Sequence, residues 1–395
     1  MSGRLRRRAL GTTLGLCVAA GLLWWRAADR PQVARFRLLP ENEGAIAAVA
    51  FHFVPEAADT TTPALRAFLT ALAAEVSAGP DPSHPVQVYA VCSDEPAAAA
   101  LRHAWADWRL GTAARLQPIV LGTPITPWCK DRFLVGEADL PPGHLTLLSP
   151  AADEQGWGTR SNEAAVAPTL AGALGGRATA ETVSLAYDAG DLLATRTHLF
   201  AGEPLYGRNQ ARWAHSRPEL RQKLEGAFGL PVVWLGRRPG EVPDHHLGMY
   251  LAPVDGHTVL VGDAELGRQL WARQPRAARQ RGDGPGPPDF APERLAQLAA
   301  ARDQLRRAGF QVGSLPLVPF RDPKVFLTYT NGLWETRGGR RVVYLPWYDR
   351  PVLDAAAEAT CRRLGYEVHR IPVRRLYPFR GTIGCLVNVL QRDGP

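Results

Sequence analysis

The sequence predicts an α/β fold in which five similar units surround a common axis. In this chain of 395 residues, an amphipathic helical pattern is followed by a short apolar run five times. Helical spacing of apolar residues and short apolar runs are the main sequence signals of helices and strands. After most of the predicted strands comes a segment with acidic, His, Asn or Cys side chains. Because repeated supersecondary units stack into arrays, we expect these polar segments to converge.

The first two predicted helices begin at prolines, which favour the first helical position. The first has Thr62 as N-cap and Pro63 at its first position, and it ends at Gly79. Its apolar face consists of Leu65, Phe68, Leu69, Leu72 and Val76. The second begins near Pro96, and one face carries Leu101, Trp105 and Trp108.

The other three predicted helices end before a glycine. The third has Ser216 and Glu219 in the positions of a capping box and stops at Gly229. The fourth runs from Pro292 to residue 309, and the fifth from Pro351 to residue 365. The strands that follow the five helices are predicted at 86–91, 116–121, 231–235, 310–315 and 366–373.

Residues 1–30 are predicted to form an apolar helix that is a signal peptide or a membrane anchor. Four arginines up to Arg8 precede an apolar run over 9–25, the pattern of a secretory leader. An anchor is the preferred interpretation, because no A-x-A cleavage site precedes Arg26 and because Trp24 and Trp25 suit a membrane interface. The remainder of the chain would then lie outside the cytoplasm, as in a bacterial periplasm, either anchored or secreted.

Residues 31–395 are predicted to form one catalytic domain, since no linker is long enough to divide them. Apolar residues make up 46% of the chain, which is ample for a sizeable core. The stretch 274–291 is rich in Pro, Gly and Arg and is predicted to be a mobile insertion. The sequence carries no signal for an oligomeric state.

Charge argues against nucleic-acid binding. The formal net charge is +8, but 1–30 alone contains six arginines and one aspartate. The remaining chain is close to balanced and has no basic stripe with interleaved aromatic residues, which nucleic-acid binding proteins show.

The five cysteines match no zinc spacing and are too few for a disulfide scaffold. We therefore expect no metal and no other cofactor. A buried core cysteine is the ordinary interpretation of Cys385. In an oxidising compartment, however, a free thiol is unusual, so its presence would favour a functional role for Cys385.

Four polar segments carry the candidate chemistry. Residues 127–133 contain Trp128 and Asp131, and residues 187–193 contain Asp188 and Asp191. Residues 244–251 contain the pair His245 and His246, and the last segment contains Cys385 after two glycines. On a predicted strand, His245 and His246 would face opposite sides, so that they form a poor single-metal site.

In this order, the four segments resemble motifs of the pentein superfamily of guanidine-modifying enzymes. The motifs are Trp-x-x-Asp, an acidic-Gly-Gly-polar turn, His-aliphatic-Asp and a glycine loop before the nucleophilic Cys. The superfamily includes arginine, agmatine and protein-arginine deiminases and amidinotransferases. The resemblance spans roughly 35–393, and it implies a five-bladed α/β propeller built from ββαβ units. Residues 385–389 with Arg392 are most similar to the protein-arginine deiminase ending, and 329–332 with 342–346 to the agmatine deiminase pattern.

The resemblance implies a role for each matching residue. Cys385 would be the nucleophile, His246 the acid and base, and Asp188 the group that orients the imidazole. Asp131 would clamp the guanidinium, and the substrate site would also include Trp128, Asp191 and Asn331. The alternatives are purely structural roles: a surface ion pair for Asp131, a core histidine for His246, and turn residues for Asp188 and Asn331.

Three positions depart from the superfamily pattern. Gly248 stands where many members have a second guanidinium-binding aspartate. Ala189 replaces a usual glycine, and Gly384 replaces a histidine found in some branches. The loss of the second carboxylate weakens the expected binding of an arginine-like substrate.

The leading hypothesis is a hydrolase that converts an arginine-type guanidine, free or peptidyl, to a ureido product with loss of ammonia. Protein-arginine deiminase is the nearest named activity. One alternative is an amidinotransferase, in which an amine replaces water. Another is an inactive pentein that acts as an extracytoplasmic binding protein. No acidic cluster in the sequence supports a calcium requirement.

Overall fold

Five sheets carry the strands of the computed structural model, which describes residues 36–79, 84–137, 144–151, 158–280 and 284–393. The strands, in chain order, are β1 (Arg37–Leu38), β2 (Ala45–Phe53), β3 (Val86–Cys92), β4 (Ala114–Val120), β5 (Leu134–Glu137), β6 (Leu145–Pro150), β7 (Ala178–Val183), β8 (Leu192–Ala194), β9 (Leu199–Gly202), β10 (Val232–Leu235), β11 (Leu251–Pro253), β12 (Thr258–Asp263), β13 (Gln311–Pro319), β14 (Phe326–Thr328), β15 (Leu333–Arg337), β16 (Arg340–Trp347), β17 (Tyr366–Pro372) and β18 (Val387–Asp393). The helices are α1 (Ala58–Ala78), α2 (Glu95–Trp108), α3 (Val166–Leu174), α4 (Glu203–Asn209), α5 (Arg217–Phe228), α6 (Ala264–Ala272), α7 (Arg276–Arg279), α8 (Pro292–Arg307), α9 (Pro351–Arg363) and α10 (Ile383–Leu386).

Every sheet contains the same unit. Two antiparallel strands are followed by a helical connection and a third strand that pairs in parallel. The units are β5-β6-α3-β7, β8-β9-(α4, α5)-β10, β11-β12-(α6–α8)-β13, β15-β16-α9-β17 and β18-β2-α1-β3. The prediction of an α/β fold is therefore confirmed. The last unit joins the two ends of the domain, because β18 pairs with β2.

The predicted division into units was wrong in one respect. The first two predicted helix–strand pairs lie in a single sheet, whose strand order is β18-β2-β3-β4. The missing unit contains α3, whose nine residues are almost all apolar or small and lack a polar face. Without that face the helix shows no amphipathic period, which is the signal on which the prediction relied.

The start of α1 was also predicted wrongly. The helix begins at Ala58, directly after a 3-10 turn over Pro55–Ala57, and Pro63 lies inside it. The missing N–H of Pro63 removes one backbone hydrogen bond near the start of a helix of 21 residues. By contrast, Ser216 caps α5 as predicted, since its hydroxyl accepts a hydrogen bond from the backbone N–H of Glu219.

Side chains of several sheets share one core. Phe51 of β2, Phe68 of α1 and Tyr344 of β16 are buried in the same cluster, and the rings of Phe68 and Tyr344 meet edge to face at 4.9 Å. This core holds the β18-β2-α1-β3 unit against the β15-β16-α9-β17 unit, so the strand ends that carry their polar segments are held in place.

Two predicted segments lie wholly or partly outside the described ranges. In the described ranges, no helix has the length and hydropathy to cross a bilayer, and the predicted apolar helix of 1–30 lies outside those ranges. The stretch 274–291 is described apart from 281–283; it contains α7, and Pro288 bridges Phe320. Its mobility stays a prediction.

Candidate active site

Each of the five units contributes one segment to a common site, always just before the first strand of its antiparallel pair. Asp131 ends a 3-10 turn before β5, and Asp188 caps a 3-10 turn before β8. His246 precedes the 3-10 turn before β11, Asn331 lies just before β15, and Cys385 lies in α10 before β18. The repeated topology therefore places five chemically different side chains at equivalent strand ends.

Six of the seven predicted site residues line one cavity of about 430 Å³, the outer cleft. They are Trp128, Asp131, Asp188, Asp191, His246 and Cys385. Asn331 lines a second cavity on the other side of Cys385, the inner chamber, together with Asp131 and His246. Asp131, His246 and Cys385 therefore line both cavities.

His246 lies between two carboxylates. Its Nε2 is 3.3 Å from Asp188 Oδ2, and its Nδ1 is 3.6 Å from Asp131 Oδ1. Burial disfavours the charged imidazole, but Asp131, Asp188 and a hydrogen bond to Cys385 outweigh it and raise the pKa of His246 to about 10. The imidazole is therefore held as a cation at neutral pH, beside the thiol that needs to ionise.

Asp188 is held by several partners besides His246. Its two oxygens accept hydrogen bonds from Arg132 Nη2 at 2.9 Å and Arg208 Nη1 at 3.2 Å. Burial alone would favour the neutral acid, but His246 and the two arginines hold the pKa of Asp188 well below its usual range. The carboxylate is therefore charged and fixed, as a group that orients an imidazole must be.

Asp191 braces the same turn. Its Oδ2 accepts a hydrogen bond from the backbone N–H of Asp188 at 2.8 Å, and it is also paired with Arg208. The carboxylate of Asp191 therefore lines the outer cleft, but its hydrogen bond and its ion pair stabilise the turn around Asp188.

Gly190 makes room for the imidazole. A Cβ atom at this position would lie 2.7 Å from both Cγ and Nδ1 of His246. Any larger residue would force the ring out of its position between the two carboxylates.

Cys385 is 7% exposed and lies among polar and soft neighbours. The amide of Asn331 donates a hydrogen bond from Nδ2 to Sγ at 2.9 Å, and the sulfur of Met249 is 4.0 Å away. The Nδ2 donor of Asn331 and the imidazole of His246 therefore both lie against this sulfur. Asn331 thus contacts Cys385 itself rather than serving only a turn.

The three departures from the superfamily pattern have different structural settings. A Cβ at Gly384 would lie 2.0 Å from Oδ1 of Asn331, so Asn331 occupies the space of a larger residue there. At Gly248 the nearest atom to a Cβ would be the same Oδ1, at 3.6 Å, which is ordinary contact. Ala189 is fully buried within the turn around Asp188. Nothing sterically forbids an aspartate at Gly248.

Trp128 packs against the loop before the nucleophile. A Cβ at Gly381 would lie 2.4 Å from the Trp128 ring, so a glycine is needed for this close approach. The ring therefore fixes the segment that leads into α10 and forms one wall of the outer cleft.

His245 and His246 were expected on one strand, and this was wrong. They lie in an irregular segment that leads into a 3-10 turn, and their rings are 5.4 Å apart. Half-buried between Phe326 and His246, His245 has a pKa lowered well below its usual range, first by desolvation and then by the charge of His246. Among the described residues, no group of three or more His, Cys, Asp or Glu side chains could hold a metal ion.

The sequence analysis missed Arg132, Arg208 and Met249. Arg132 follows Asp131 directly, but it bonds Asp188 and Glu163, which lie far along the chain. Only the folded arrangement reveals those partners. A weak signal existed for Met249, since it directly follows the histidine motif and Gly248.

Comparisons with known proteins support the fold. No protein-family model matches the chain, and no curated protein matches it in sequence. Two solved agmatine deiminases superpose on it over most of both chains. The Campylobacter (C. jejuni) structure has a TM-score of 0.64 at 14% identity, covering 91% of this chain and 97% of that one. The Enterococcus faecalis structure has a TM-score of 0.63 at 15% identity, with coverage of 91% and 96%. At this identity the likeness establishes the fold alone.

Proposed function

We propose that this chain, whose fold is that of the pentein superfamily, is a guanidine-modifying hydrolase. It would convert an arginine-type guanidine to a ureido group and release ammonia. The observation that carries this proposal is the meeting of Cys385, His246, Asp131 and Asp188 in one cleft. We also infer that the five ββαβ units close into the five-bladed propeller typical of the superfamily.

Substrate binding would rest on Asp131. A guanidinium is a planar cation with several donors, and a carboxylate binds it in bidentate fashion. Asp131 is 5% exposed and lines both the outer cleft and the inner chamber, next to Cys385. A guanidinium bound there has its carbon within reach of the thiol.

The first step is attack by Cys385. Its thiolate forms a C–S bond to the guanidinium carbon, and the C–N bond to one terminal nitrogen breaks. His246 supplies a proton to that nitrogen, which leaves as ammonia. Asp188 keeps the imidazole in place while its charge changes.

The second step is hydrolysis of the thiouronium adduct. Now neutral, His246 takes a proton from water while the water oxygen bonds to the carbon. The C–S bond then breaks, which regenerates the thiolate of Cys385, and the hydroxyl proton passes to solvent as the ureido product is released.

The tail of the substrate would lie in the outer cleft. Phe379, 60% exposed, stands at its rim, and Trp128 forms a wall, so that an apolar stem can pack between rings. A peptidyl or free arginine is the substrate that the sequence motifs favour. Agmatine is the second candidate, since the solved structures with this fold include agmatine deiminases.

A panel of guanidines tests the proposal. Benzoyl-arginine amide, arginine, agmatine and an arginine-containing protein are incubated with residues 31–395, and ureido product and ammonia are measured. The proposal predicts product with at least one of them and none with Cys385→Ala. Product that forms only with an added amine acceptor would indicate an amidinotransferase. If no guanidine gives a product, the hydrolase proposal is wrong, and the alternative of an inactive binding protein is favoured.

Residues 1–30 add a proposal about location. Their arginines and apolar run support an anchor that places the domain outside the cytoplasm. Membrane fractionation of the full chain tests it: the protein should stay with membranes after alkaline washing. Recovery in the cytoplasmic fraction would contradict it.

A further inference from the structure

A row of cavities runs behind the reacting groups, away from the outer cleft. The inner chamber, of about 50 Å³, shares Asp131, His246 and Cys385 with the outer cleft. Behind it, the rear chamber of about 20 Å³ shares Glu41, Lys130 and Val389 with the inner chamber. The spaces therefore adjoin one another at common walls.

The row continues to the surface. A groove of about 250 Å³ shares Leu38, Leu39, Pro40 and Arg392 with the rear chamber. Its rim includes Glu43 and Arg196, whose side chains are 23% and 38% exposed. Cavities with common walls thus form a series from Cys385 to this groove, which shares no lining residue with the outer cleft.

The two chambers have the size and polarity that water requires. A buried water needs roughly 10–15 Å³ and two to four polar partners. Polar groups in the inner chamber come from Glu41, Asn42, Lys130 and Asn331, and the rest of its wall is mostly apolar. Lys130 and Glu41 form an ion pair of 2.8 Å where the two chambers adjoin.

The chemistry creates a need for such a space. After the first step, the tail of the substrate still fills the outer cleft, because the adduct is attached to Cys385. Water must then reach the adduct carbon from elsewhere, and ammonia must leave. The inner chamber borders Cys385 and His246, the two groups that the second step uses.

We propose that the inner and rear chambers form a rear route that carries water to the adduct and ammonia away from it. This inference rests on the proposed hydrolase function. Water donates one proton to His246 and bonds to carbon, while ammonia takes the opposite path along the same polar groups. The Lys130–Glu41 pair offers hydrogen bonds to both molecules, and its closeness excludes larger solutes.

Val389→Leu tests the rear route, because Val389 lines both chambers and takes no part in the chemistry. With benzoyl-arginine amide as substrate, rapid quenching and mass measurement give separate rates for adduct formation and adduct hydrolysis. We expect formation to change less than twofold and hydrolysis to slow about tenfold, so that adduct accumulates. Val49→Leu is the matched control, since Val49 pairs with Val389 across the sheet, is buried, and lines none of these cavities.

A second variant guards against a merely structural effect. Val389→Ala widens the route, and its adduct should hydrolyse at least as fast as that of the wild type. The inference is overturned if Val389→Leu slows both steps equally, leaves hydrolysis unchanged, or is matched by Val49→Leu or Val389→Ala. Absence of ureido product from the wild type would instead contradict the hydrolase function itself.

Discussion

In the proposed guanidinium site Asp131 is the binding carboxylate, and Gly248 stands where the superfamily pattern has a second one. Adding the second should strengthen binding, because a hydrogen bond to a charged group contributes about 1.5–3 kcal/mol. We therefore expect Gly248→Asp to lower KM for a guanidine about 10- to 100-fold with little change in kcat. A Cβ at Gly248 would make only ordinary contacts, at 3.6 Å or more, so the backbone accepts a side chain there.

Gly248→Asn provides the matched control, since it has nearly the same shape and no charge. If Gly248→Asn lowers KM as much as Gly248→Asp does, the negative charge at this position does not cause the tighter binding. A higher KM in Gly248→Asp would contradict the placement of the guanidinium beside Asp131.

His246 couples stability to pH. Its pKa is raised from 6.5 to about 10 in the folded state. A raised pKa contributes stability that is complete below the unfolded value and is lost as pH rises through the folded value. The free energy of unfolding should therefore fall between about pH 6.5 and pH 10, and His246→Gln should flatten that slope.

Urea unfolding at several pH values measures this difference. The comparison of wild type with His246→Gln removes the contribution of other titrating groups that both share. An equal slope in the two proteins would show that the imidazole is not held as a cation by Asp131 and Asp188.

At the level of elements, the turn around Asp188 sets the position of the imidazole. In Gly190→Ala the new Cβ would overlap the His246 ring, and a shift of about 1 Å in a catalytic group can cost 10²-fold in rate. We expect kcat to fall by about that factor while the fold persists, as checked by circular dichroism.

Gly172→Ala is the matched control within α3, where a Cβ meets no atom within 4 Å. It should leave kcat unchanged and stabilise the helix by about 0.5–1 kcal/mol. Equal activity in Gly190→Ala and Gly172→Ala would mean that the imidazole is not held as tightly as the contacts indicate.

Sequence patterns were sufficient for elements with strong local signals. Helices α5, α8 and α9 lie close to their predicted bounds because capping residues, prolines and glycines mark their ends. Helix α3 was missed because its residues show no polar face. Its buried residues, such as Val166, Leu170 and Leu174, do share one face, but the exposed positions are Pro168 and Gly172, so no polar contrast marks that face in the sequence.

At the level of the whole molecule, the site is assembled by topology. Motif order along the chain was enough to predict that Asp131, Asp188, His246 and Cys385 would meet. The same order could not predict Arg132, Arg208 and the cavities behind Cys385. Those depend on contacts between units that are distant in sequence, such as the ion pairs of Asp188.

The fold also explains why Cys385 differs from other cysteines of the chain. Cys92 and Cys361 are fully buried, and burial raises the pKa of each thiol to about 12. Neither is placed against a cationic imidazole. Of these three cysteines, Cys385 is the one that lies against the imidazole of His246, as the proposed mechanism requires.

The most direct test of the account is the mass of the enzyme during turnover. Acid quenching with a guanidine substrate, followed by peptide mapping, should find a thiouronium adduct on Cys385 in the wild type. The adduct should also form in Cys361→Ala and be absent in Cys385→Ala, whose turnover should fall by at least about 10³-fold. An adduct on another cysteine, or full turnover by Cys385→Ala, would contradict the account.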